Sequence, residues 1–143
     1  MPDKFMSLAI EEAKKAGNDV PVGAVIVYNN EIIAKAHNEK EQNNDVSAHA
    51  EILAIKEAEK KLNNWRLDGC EMYVTLEPCP MCASAIISSR IKKVYFGCYD
   101  NLYGALGSKI DLRNIYNSKL EVMGGISENE CSELLKNFWR KNE

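Results

Sequence analysis

Residues 72–90 read MYVTLEPCPMCASAIISSR, and two consecutive elements of secondary structure can be predicted within them. The apolar run at 72–76 predicts a buried strand. Pro80 stands where the next element begins, and proline is favoured at the first position of a helix because its missing N–H needs no partner there. The residues that follow predict a helix that runs to Arg90. A strand that leads directly into a helix is typical of α/β proteins.

Strands and helices alternate on either side of this unit. Hydrophobic spacing, caps and turn residues predict, in chain order, a helix from the N-cap Asp3 to about Ala16, a β-hairpin with strands at 22–28 and 31–37, a loop at 38–47, a helix at 48–62, a strand at 94–96, and a final helix from Ser127 to Trp139. Ser127 and Glu130 match a capping box for that last helix. The alternation predicts a mixed sheet covered by helices on both faces.

The composition narrows the class of protein. The 143 residues, 45% hydrophobic and 27% charged, predict one globular domain that spans 1–143. The formal net charge of −3 excludes a large basic field for nucleic acid, though not a local patch. No apolar run is long enough for a membrane span and the first residues lack a signal-peptide pattern, so we expect a cytoplasmic protein. Five cysteines, an odd number, favour free thiols or metal ligands over disulfides.

Two short motifs carry the chemistry, AHAE at 48–51 and EPCPMC at 77–82. Cys79 and Cys82 are three residues apart, so both thiols face the same way on the first turn of a helix. His49 adds a nitrogen ligand, and the chain contains only one other histidine. Three protein ligands leave the fourth tetrahedral position open, which is typical of a catalytic Zn²⁺.

Glu51 follows His49 by two residues, and a helix that opens there brings its carboxylate beside the metal. Zn²⁺ lowers the pKa of bound water to about 7, and Glu51 would accept the proton of that water and deliver it to the substrate. The pattern H-x-E with P-C-x-x-C is a signature of zinc base deaminases. A redox pair would leave His49 and Glu51 unexplained, and a structural zinc site would need a fourth ligand that no second motif supplies.

The sequence resembles the cytidine-deaminase-like zinc enzymes, and among them the bacterial tRNA-specific adenosine deaminases, over nearly its whole length. The segments that carry the resemblance are VPVGAVIV at 20–27, AHN at 36–38, AHAEI at 48–52, WRL at 65–67, YVTLEPC at 73–79, SRI at 89–91, GALGS at 104–108, Gly124-Gly125, Leu134-Leu135 and Phe138. The resemblance implies a three-layer α/β/α fold around a five-stranded sheet, one Zn²⁺ per subunit, and a homodimer with active sites near its interface. It also implies hydrolytic conversion of adenosine to inosine at the anticodon wobble position of a tRNA.

The same resemblance implies three substrate-binding residues. Asn38 matches the family asparagine that hydrogen-bonds the flipped base, and an amide can both donate and accept. The backbone of Ala50 would lie against that base, and Asp100, in the loop after the fourth strand, would contact the substrate. Apart from the resemblance, Asn38 also fits a loop residue that satisfies nearby backbone.

The departures from the family fall in parts that contact substrate. DVS at 45–47 replaces DPT, Leu102 stands where relatives usually carry a lysine, and Pro80 and Ser84 replace commoner residues. The Pro-Cys-Pro-Met-Cys form is also frequent in guanine and cytosine deaminases. A deaminase of a free nucleobase or nucleoside (guanine, cytosine or a related ring) is therefore the alternative function. A zinc-stabilised interaction module is a third hypothesis, but such a site needs no carboxylate like that of Glu51.

Binding of tRNA requires cations for phosphate groups and aromatic surfaces for unstacked bases. Seven basic residues are candidates for one patch: Arg66, Arg90, Lys92, Lys93, Lys136, Arg140 and Lys141. Four aromatic residues are candidates for stacking: Tyr99, Tyr103, Phe138 and Trp139. Solvated lysines and aromatic residues in the core or a dimer interface are the alternatives. Three cysteines lie outside the two motifs, and we expect them to pack as small buried hydrophobic residues: Cys70, Cys98 and Cys131. We expect the second histidine, His37, to have a structural role.

Overall fold

The computed structural model describes residues 2–142, which form a five-stranded mixed sheet between helices. In chain order the elements are α1 (Pro2–Ala13), β1 (Gly23–Tyr28), β2 (Glu31–His37), α2 (Lys40–Asn43), α3 (Ala50–Leu62), β3 (Glu71–Leu76), α4 (Pro80–Ser88), β4 (Lys93–Cys98), α5 (Leu112–Tyr116), β5 (Glu121–Met123) and α6 (Glu128–Lys141). The strand order across the sheet is β2-β1-β3-β4-β5.

The sheet changes from antiparallel to parallel at β3. Strand β1 pairs antiparallel with β2 and with β3, whereas β3, β4 and β5 run parallel. The predicted hairpin turn is confirmed, and Asn29 and Asn30 both adopt positive φ (50° and 65°), which asparagine tolerates better than most residues. Because β3 and β4 are parallel, the segments that begin at Glu77 and Tyr99 leave the same edge of the sheet.

Alternate residues of the central strands pack into two cores, one on each face of the sheet. On one face, Ile26, Val74 and Phe96 pack with residues of α3 and α4. On the other face, Val25 packs with residues of α1 and with Cys131 of α6. Strands buried on both faces explain the nearly continuous apolar runs of the sequence. The predicted three-layer α/β/α fold with a five-stranded sheet is confirmed.

The thiols and the histidine outside the motifs have the structural places predicted for them. Cys70, Cys98 and Cys131 are buried and free. His37 lies against the carboxylate of Glu12 on α1, with 3.1 Å between Nδ1 and Oε1. These residues therefore support the packing of α1, α6 and the sheet.

Several predicted helix ends are wrong. Helix α1 begins at Pro2, where no N–H partner is needed, so Asp3 lies in the first turn and is not the N-cap. The helix ends at Ala13, and only a turn extends it toward Ala16. Ser127 has a φ of 53° and its side chain makes no capping hydrogen bond, so the predicted capping box does not form.

Three short elements lie where the sequence predicts none. Helix α2 is a single turn within the predicted loop at 38–47, and α5 and β5 follow the glycine loop. Asp111 caps α5 by accepting the N–H of Arg113 at 3.1 Å. Such elements carry too few residues for a hydrophobic period to show. Within residues 2–142, no helix has the length and apolar character needed to cross a membrane.

Candidate active site

The first residues of two helices meet beyond the carboxyl end of β3. His49 is the N-cap of α3 and Cys79 is the N-cap of α4, and the backbone of both is extended. Pro80 occupies the first turn of α4 as predicted, and Cys82 follows it, fully buried. Two partly positive helix N-termini therefore lie beside the same thiols, which favours the thiolate form.

The three predicted metal-ligating atoms face one another. His49 Nδ1 lies 3.7 Å from Cys79 Sγ and 3.5 Å from Cys82 Sγ, and all three atoms lie within 4.8 Å of one another. Tetrahedral zinc, with Zn–N of about 2.0–2.1 Å and Zn–S of about 2.3 Å, requires N···S separations of roughly 3.6 Å. One Zn²⁺ therefore fits between His49, Cys79 and Cys82. Within residues 2–142 no other histidine, cysteine or carboxylate lies close enough to be a fourth ligand.

Hydrogen bonds within this cluster favour an ionised Cys79. The hydrogen bond from Cys82 lowers the pKa of Cys79 to about 4, and His49 acts in the same direction against the opposing effect of burial. The hydrogen bond to Cys79 raises the pKa of Cys82 and that of His49. Because the thiolate is the form of cysteine that binds metal, Cys79 is ready to bind zinc, whereas Cys82 would release its proton when the metal binds.

Glu51 lies in the first turn of α3, and only 4% of it is exposed. Burial raises the pKa of its carboxyl group to about 7, and its charge interacts with His49 and with both motif cysteines. A carboxyl group that titrates near neutral pH can both accept and deliver a proton. Within a regular helix, residues two apart would diverge by about 200°, but His49 has the extended backbone of an N-cap, so both side chains reach the same point.

A cleft of about 660 Å³ opens over the cluster. His49, Glu51 and Cys79 form its floor. Four other segments also line the cleft: Asn18–Val20 before β1, Lys40 and Glu41 of α2, Asp100 and Tyr103 of the loop after β4, and Phe138 and Trp139 of α6. This volume lies within the range of pockets that enclose a small organic ligand such as a nucleoside.

Asn38 lines the cleft, and both ends of its amide have protein partners. Nδ2 donates to the carbonyl of Val20 at 3.0 Å, and Oδ1 accepts the N–H of Ala50 at 2.8 Å. Asn38 therefore satisfies backbone groups, as the alternative interpretation proposed, although these groups are distant in sequence. The amide has two N–H groups, and the hydrogen bond to Val20 uses one of them, so the second can donate to a ligand in the cleft. Ala50 is fully buried and contributes to the site through this hydrogen bond.

The loop after β4 brings Asp100 and an aromatic ring to the rim of the cleft. Asp100 Oδ1 accepts two backbone N–H groups of the following turn, both at 3.0 Å. Tyr103 and Trp139 both line the cleft and are 66% and 55% exposed, so their ring faces are open to a ligand. Tyr99 instead packs edge-on against the core ring of Phe96, with 5.0 Å between the ring centroids.

The sequence profile of a known family, described as the cytidine and deoxycytidylate deaminase zinc-binding region, matches residues 1–98. This segment contains His49, Glu51, Cys79 and Cys82, which the fold gathers at one point. The chain belongs to this family. It is a zinc-dependent hydrolytic deaminase, as predicted.

Relatives of this deaminase are similar over nearly its whole length. The tRNA-specific adenosine deaminase of Bacillus subtilis (strain 168) is 49% identical over 141 residues, which cover 96% of this chain and 88% of the relative. A structure solved in a study of A-to-I editing by tRNA:A34 deaminases at the wobble position of transfer RNA has a TM-score of 0.86 at 41% identity, over 92% of this chain and 99% of that one. A guanine deaminase structure from Bacillus subtilis has a TM-score of 0.66 at 41% identity, over 68% of this chain and 64% of that one.

Two buried carboxylates that line the cleft of the deaminase, Asp19 and Glu77, were not predicted from the sequence. Asp19 accepts the backbone N–H groups of Glu41 and Gln42 and so holds α2 in the wall of the cleft. Glu77 accepts N–H groups from the loop that carries Asp100. An acidic residue directly after an apolar strand is a signal that could have marked Glu77, whereas no local pattern marks Asp19.

The seven predicted basic residues of the deaminase do not form one patch. Four lie at the edge of the sheet opposite the metal cluster, because they precede or begin β3 and β4: Arg66, Arg90, Lys92 and Lys93. The other three lie on α6, which also contributes Phe138 and Trp139 to the cleft: Lys136, Arg140 and Lys141. The prediction of a single patch is wrong, since the segments before and after a pair of parallel strands lie at opposite edges of the sheet.

Proposed function

We propose that this deaminase converts adenosine to inosine at the wobble position of a tRNA anticodon. The observation that carries the proposal is the cluster of His49, Cys79, Cys82 and Glu51 beneath a cleft with open aromatic rings at its rim. A single-stranded RNA loop offers unstacked bases to such rings. The similarity to tRNA:A34 deaminases over nearly the whole chain supports the same substrate.

In this proposal, His49, Cys79 and Cys82 hold one Zn²⁺ per subunit. When bound, zinc supplies Lewis acidity that makes water a nucleophile at neutral pH. Glu51 accepts one proton from the attacking water and transfers it to N1 of the adenine ring as the water oxygen bonds to C6. It then accepts the remaining proton of that added hydroxyl group and delivers it to the amine, which leaves as ammonia when the C6–N bond breaks. Water and adenosine give inosine and ammonia, so the reaction balances without another reactant.

The same proposal assigns substrate contacts to Asn38, Ala50 and Asp100. The remaining N–H of the Asn38 amide would bond the flipped base, while the other holds Val20. The backbone of Ala50 supports that amide by donating to Oδ1. Asp100 lines the cleft and also accepts the N–H of Tyr103. In the proposal it therefore contacts the substrate itself and holds the turn that carries the Tyr103 ring.

The test offers the purified protein an anticodon stem-loop with A34, the same stem-loop with G34, and free adenosine, guanine and cytosine. Released ammonia is measured in every case, and inosine is measured in the RNA. We expect turnover of the A34 stem-loop and none of the G34 control. Turnover of free compounds without turnover of the stem-loop would overturn the proposed substrate.

A deaminase of a free nucleobase or nucleoside is the second candidate function. The similarity to a guanine deaminase over 68% of the chain favours it. Leu102 is exposed on the loop after β4, and the family resemblance matches its position to a lysine, so this departure favours the second candidate as well. The free compounds in the experiment above distinguish the two candidates directly.

We further propose that the deaminase is a homodimer that uses an α4–α5 face. This face consists of the exposed apolar side chains of Met81, Ile110, Ile115 and Tyr116, and Tyr116 is held to Ser84 of α4 by a hydroxyl–hydroxyl hydrogen bond of 2.9 Å. Exposed apolar side chains on neighbouring helices favour association.

A tRNA substrate supports a cytoplasmic location for this deaminase. We also propose that residues 1–143 form one catalytic domain.

Sedimentation equilibrium tests the dimer. We expect a dimer for the natural chain and a monomer for Ile115→Glu, because a charge in an apolar interface must lose its hydration. Lys61→Glu, at the far end of α3, serves as the control and should remain dimeric. A natural chain that sediments as a monomer at micromolar concentration would contradict this proposal.

A further inference from the structure

Glu77 is a buried carboxylate that borders the cleft, two residues before the predicted ligand Cys79. It follows β3, precedes Pro78 and Cys79, and is only 2% exposed. A carboxylate taken out of water is tolerated only when hydrogen bonds replace those that water provided. The partners of Glu77 therefore indicate what it holds in place.

All side-chain hydrogen bonds of Glu77 come from one loop. Oε1 accepts the N–H of Asp100 at 3.1 Å and the hydroxyl of Ser108, and Oε2 accepts the N–H groups of Leu106 at 3.2 Å and Ser108 at 3.0 Å. The ion pairs found among residues 2–142 involve other carboxylates. Backbone dipoles of the loop and one hydroxyl thus provide the whole compensation for the buried charge.

The 100–108 loop closes tightly around this carboxylate. Gly104 lies so near that a Cβ there would overlap the carboxylate of Glu77 and the carbonyl of Asp100. Glu77 bonds the loop at both ends, at Asp100 and at Ser108, and Tyr103 projects between them into the cleft. The carboxylate therefore fixes where this aromatic ring stands.

Backbone hydrogen bonds hold the metal-ligating turn without the carboxylate. The N–H of Glu77 donates to the carbonyl of Cys98 at 2.9 Å, and the carbonyl of Pro78 accepts the N–H of Ala105 at 2.9 Å. The carbonyl of Cys79 accepts the N–H of Ala83 at 2.8 Å. Loss of the carboxylate would therefore loosen the loop while the ligands Cys79 and Cys82 keep their support.

We propose that Glu77 is a positioning residue for the substrate loop. Its carboxylate sets the place of Asp100 and Tyr103 over the metal cluster, and so it governs binding of the substrate and not the proton transfers of the reaction. The identity of that substrate rests on the proposed function, whereas the control of the loop by Glu77 does not.

The test variant is Glu77→Gln, which has the same size and one acceptor oxygen fewer. The amide can pair its NH₂ group with the hydroxyl oxygen of Ser108, but that NH₂ group then faces the N–H of Asp100 and leaves it without an acceptor. We expect the KM for the A34 anticodon stem-loop to rise at least about fivefold. We expect kcat to stay within about twofold and zinc content to remain at one ion per chain.

Amide hydrogen exchange provides a readout that requires no substrate and no turnover. In Glu77→Gln we expect exchange at 100–108 to accelerate at least about tenfold, with exchange at 79–88 unchanged. Asp19→Asn is the matched control, because Asp19 is also a buried carboxylate of the cleft lining and its backbone partners lie on α2 instead of the 100–108 loop. That variant should accelerate exchange at 40–45 and leave 100–108 unchanged.

Three results would overturn the proposal: an unchanged KM, unchanged exchange at 100–108, or a fall in kcat that parallels loss of zinc. If Glu77→Gln does not fold, Ser108→Ala decides, since it removes only the hydroxyl donor, and we expect the same pattern with a KM rise of about two- to threefold. If the natural chain leaves the A34 stem-loop unchanged, the proposed function fails. The exchange measurement still decides the role of Glu77 in that case.

Discussion

A carboxyl group titrates near neutral pH when it is shielded from water, and Glu51 is buried in the first turn of α3. Burial raises its pKa to about 7, so both its protonated and ionised forms are accessible under physiological conditions. Because His49 is the N-cap, its side chain and that of Glu51 reach the same point, and the burial of the first turn raises the pKa of Glu51. One short sequence, His49-Ala50-Glu51, therefore determines both.

Replacing Glu51 by glutamine preserves size and removes proton transfer. We expect Glu51→Gln to retain zinc and to lose turnover by about 10²–10⁴-fold, as is usual when a general acid–base group is removed. Ammonia release and metal analysis on the same preparation measure both quantities. Glu57→Gln, an exposed position further along α3, is the control, and near-natural turnover of Glu51→Gln would refute the proposed mechanism.

Glu12 couples stability to pH at a second residue. Burial alone would raise its pKa, but hydrogen bonds with Lys15 at 2.8 Å and His37 at 3.1 Å outweigh burial and hold the pKa below the ordinary value of 4.5. Because the folded-state pKa is lowered, the ionised carboxylate stabilises the fold above pH 4.5. That contribution is lost as the pH falls through the lowered folded-state value.

We expect Glu12→Gln to lower the free energy of unfolding by about 1–3 kcal/mol at pH 7 and by clearly less at pH 3. Urea unfolding of both chains at both pH values measures the difference. Glu11→Gln, which removes only an exposed pair with Lys14, should change stability by less than about 0.5 kcal/mol. An effect of Glu12→Gln that does not depend on pH would show that the carboxylate charge plays no part.

Residue-scale prediction from the sequence succeeds where partners are near in the chain. Cys79 and Cys82 share one helical turn, and His49 and Glu51 share another, so their spacing reveals them. Asp19 and Glu77 bond backbone groups more than twenty residues away, and backbone donors have no signature in sequence. Their roles emerge only once the fold has brought those loops together.

At the scale of elements, the beginning of α3 depends on a residue outside the helix. His49 is the N-cap but makes no capping hydrogen bond, and Asn38 instead accepts the N–H of Ala50. The imidazole of His49 is thereby left free for metal. The same amide also binds Val20, so one side chain connects the segment before β1, the end of β2 and the start of α3.

Asn38→Ala removes both of these hydrogen bonds, and we expect a loss of about 1–3 kcal/mol in the free energy of unfolding. Asn38→Asp keeps the acceptor for Ala50 and should lose less. Urea unfolding measures the three chains together with Asn43→Ala, an exposed amide of α2, as control. Full stability of Asn38→Ala would mean that the amide serves the substrate alone.

Elements with a long hydrophobic period were predictable, and short ones were not. The hairpin, α3, α4 and α6 follow from apolar spacing and turn residues in the sequence. Helix α5 and strand β5, with five and three residues, depend on the cap of Asp111 and on pairing with β4. Tertiary contacts decide such elements, and local propensity is too weak to show them.

In the whole molecule, the sheet has two edges of different chemistry, because β3 and β4 are parallel and the segments that follow them leave the same edge. We call the edge where these strands end the reactive edge. The cleft, the metal cluster and α6 aromatics belong to the reactive edge. The five-stranded sheet between helices was implied by the family resemblance, whereas the strand order and the distribution of positive charge needed the topology. The formal net charge of a sequence does not reveal which edge of the sheet carries the basic side chains.

Cations near the cleft should therefore contribute to RNA binding, and those on the opposite edge should not. We expect Arg140→Ala with Lys141→Ala to weaken binding of the A34 stem-loop and to reduce the slope of log K against log salt by about 0.7 for each cation that contacts phosphate. Arg66→Ala with Lys92→Ala is the matched control on the opposite edge. Fluorescence anisotropy from 50 to 300 mM salt measures both pairs, and equal losses would contradict this assignment.

The cleft combines segments from nearly the whole chain, and this order matters during synthesis. The ribosome delivers His49 and Glu51 before the two ligand cysteines, which follow about thirty residues later, and the aromatic residues of α6 follow more than fifty residues after those cysteines. Because chains emerge from the amino terminus, a nascent chain could complete its metal set well before it could enclose a base. Each chain would then be able to bind its metal during synthesis, before its substrate-binding cleft is complete.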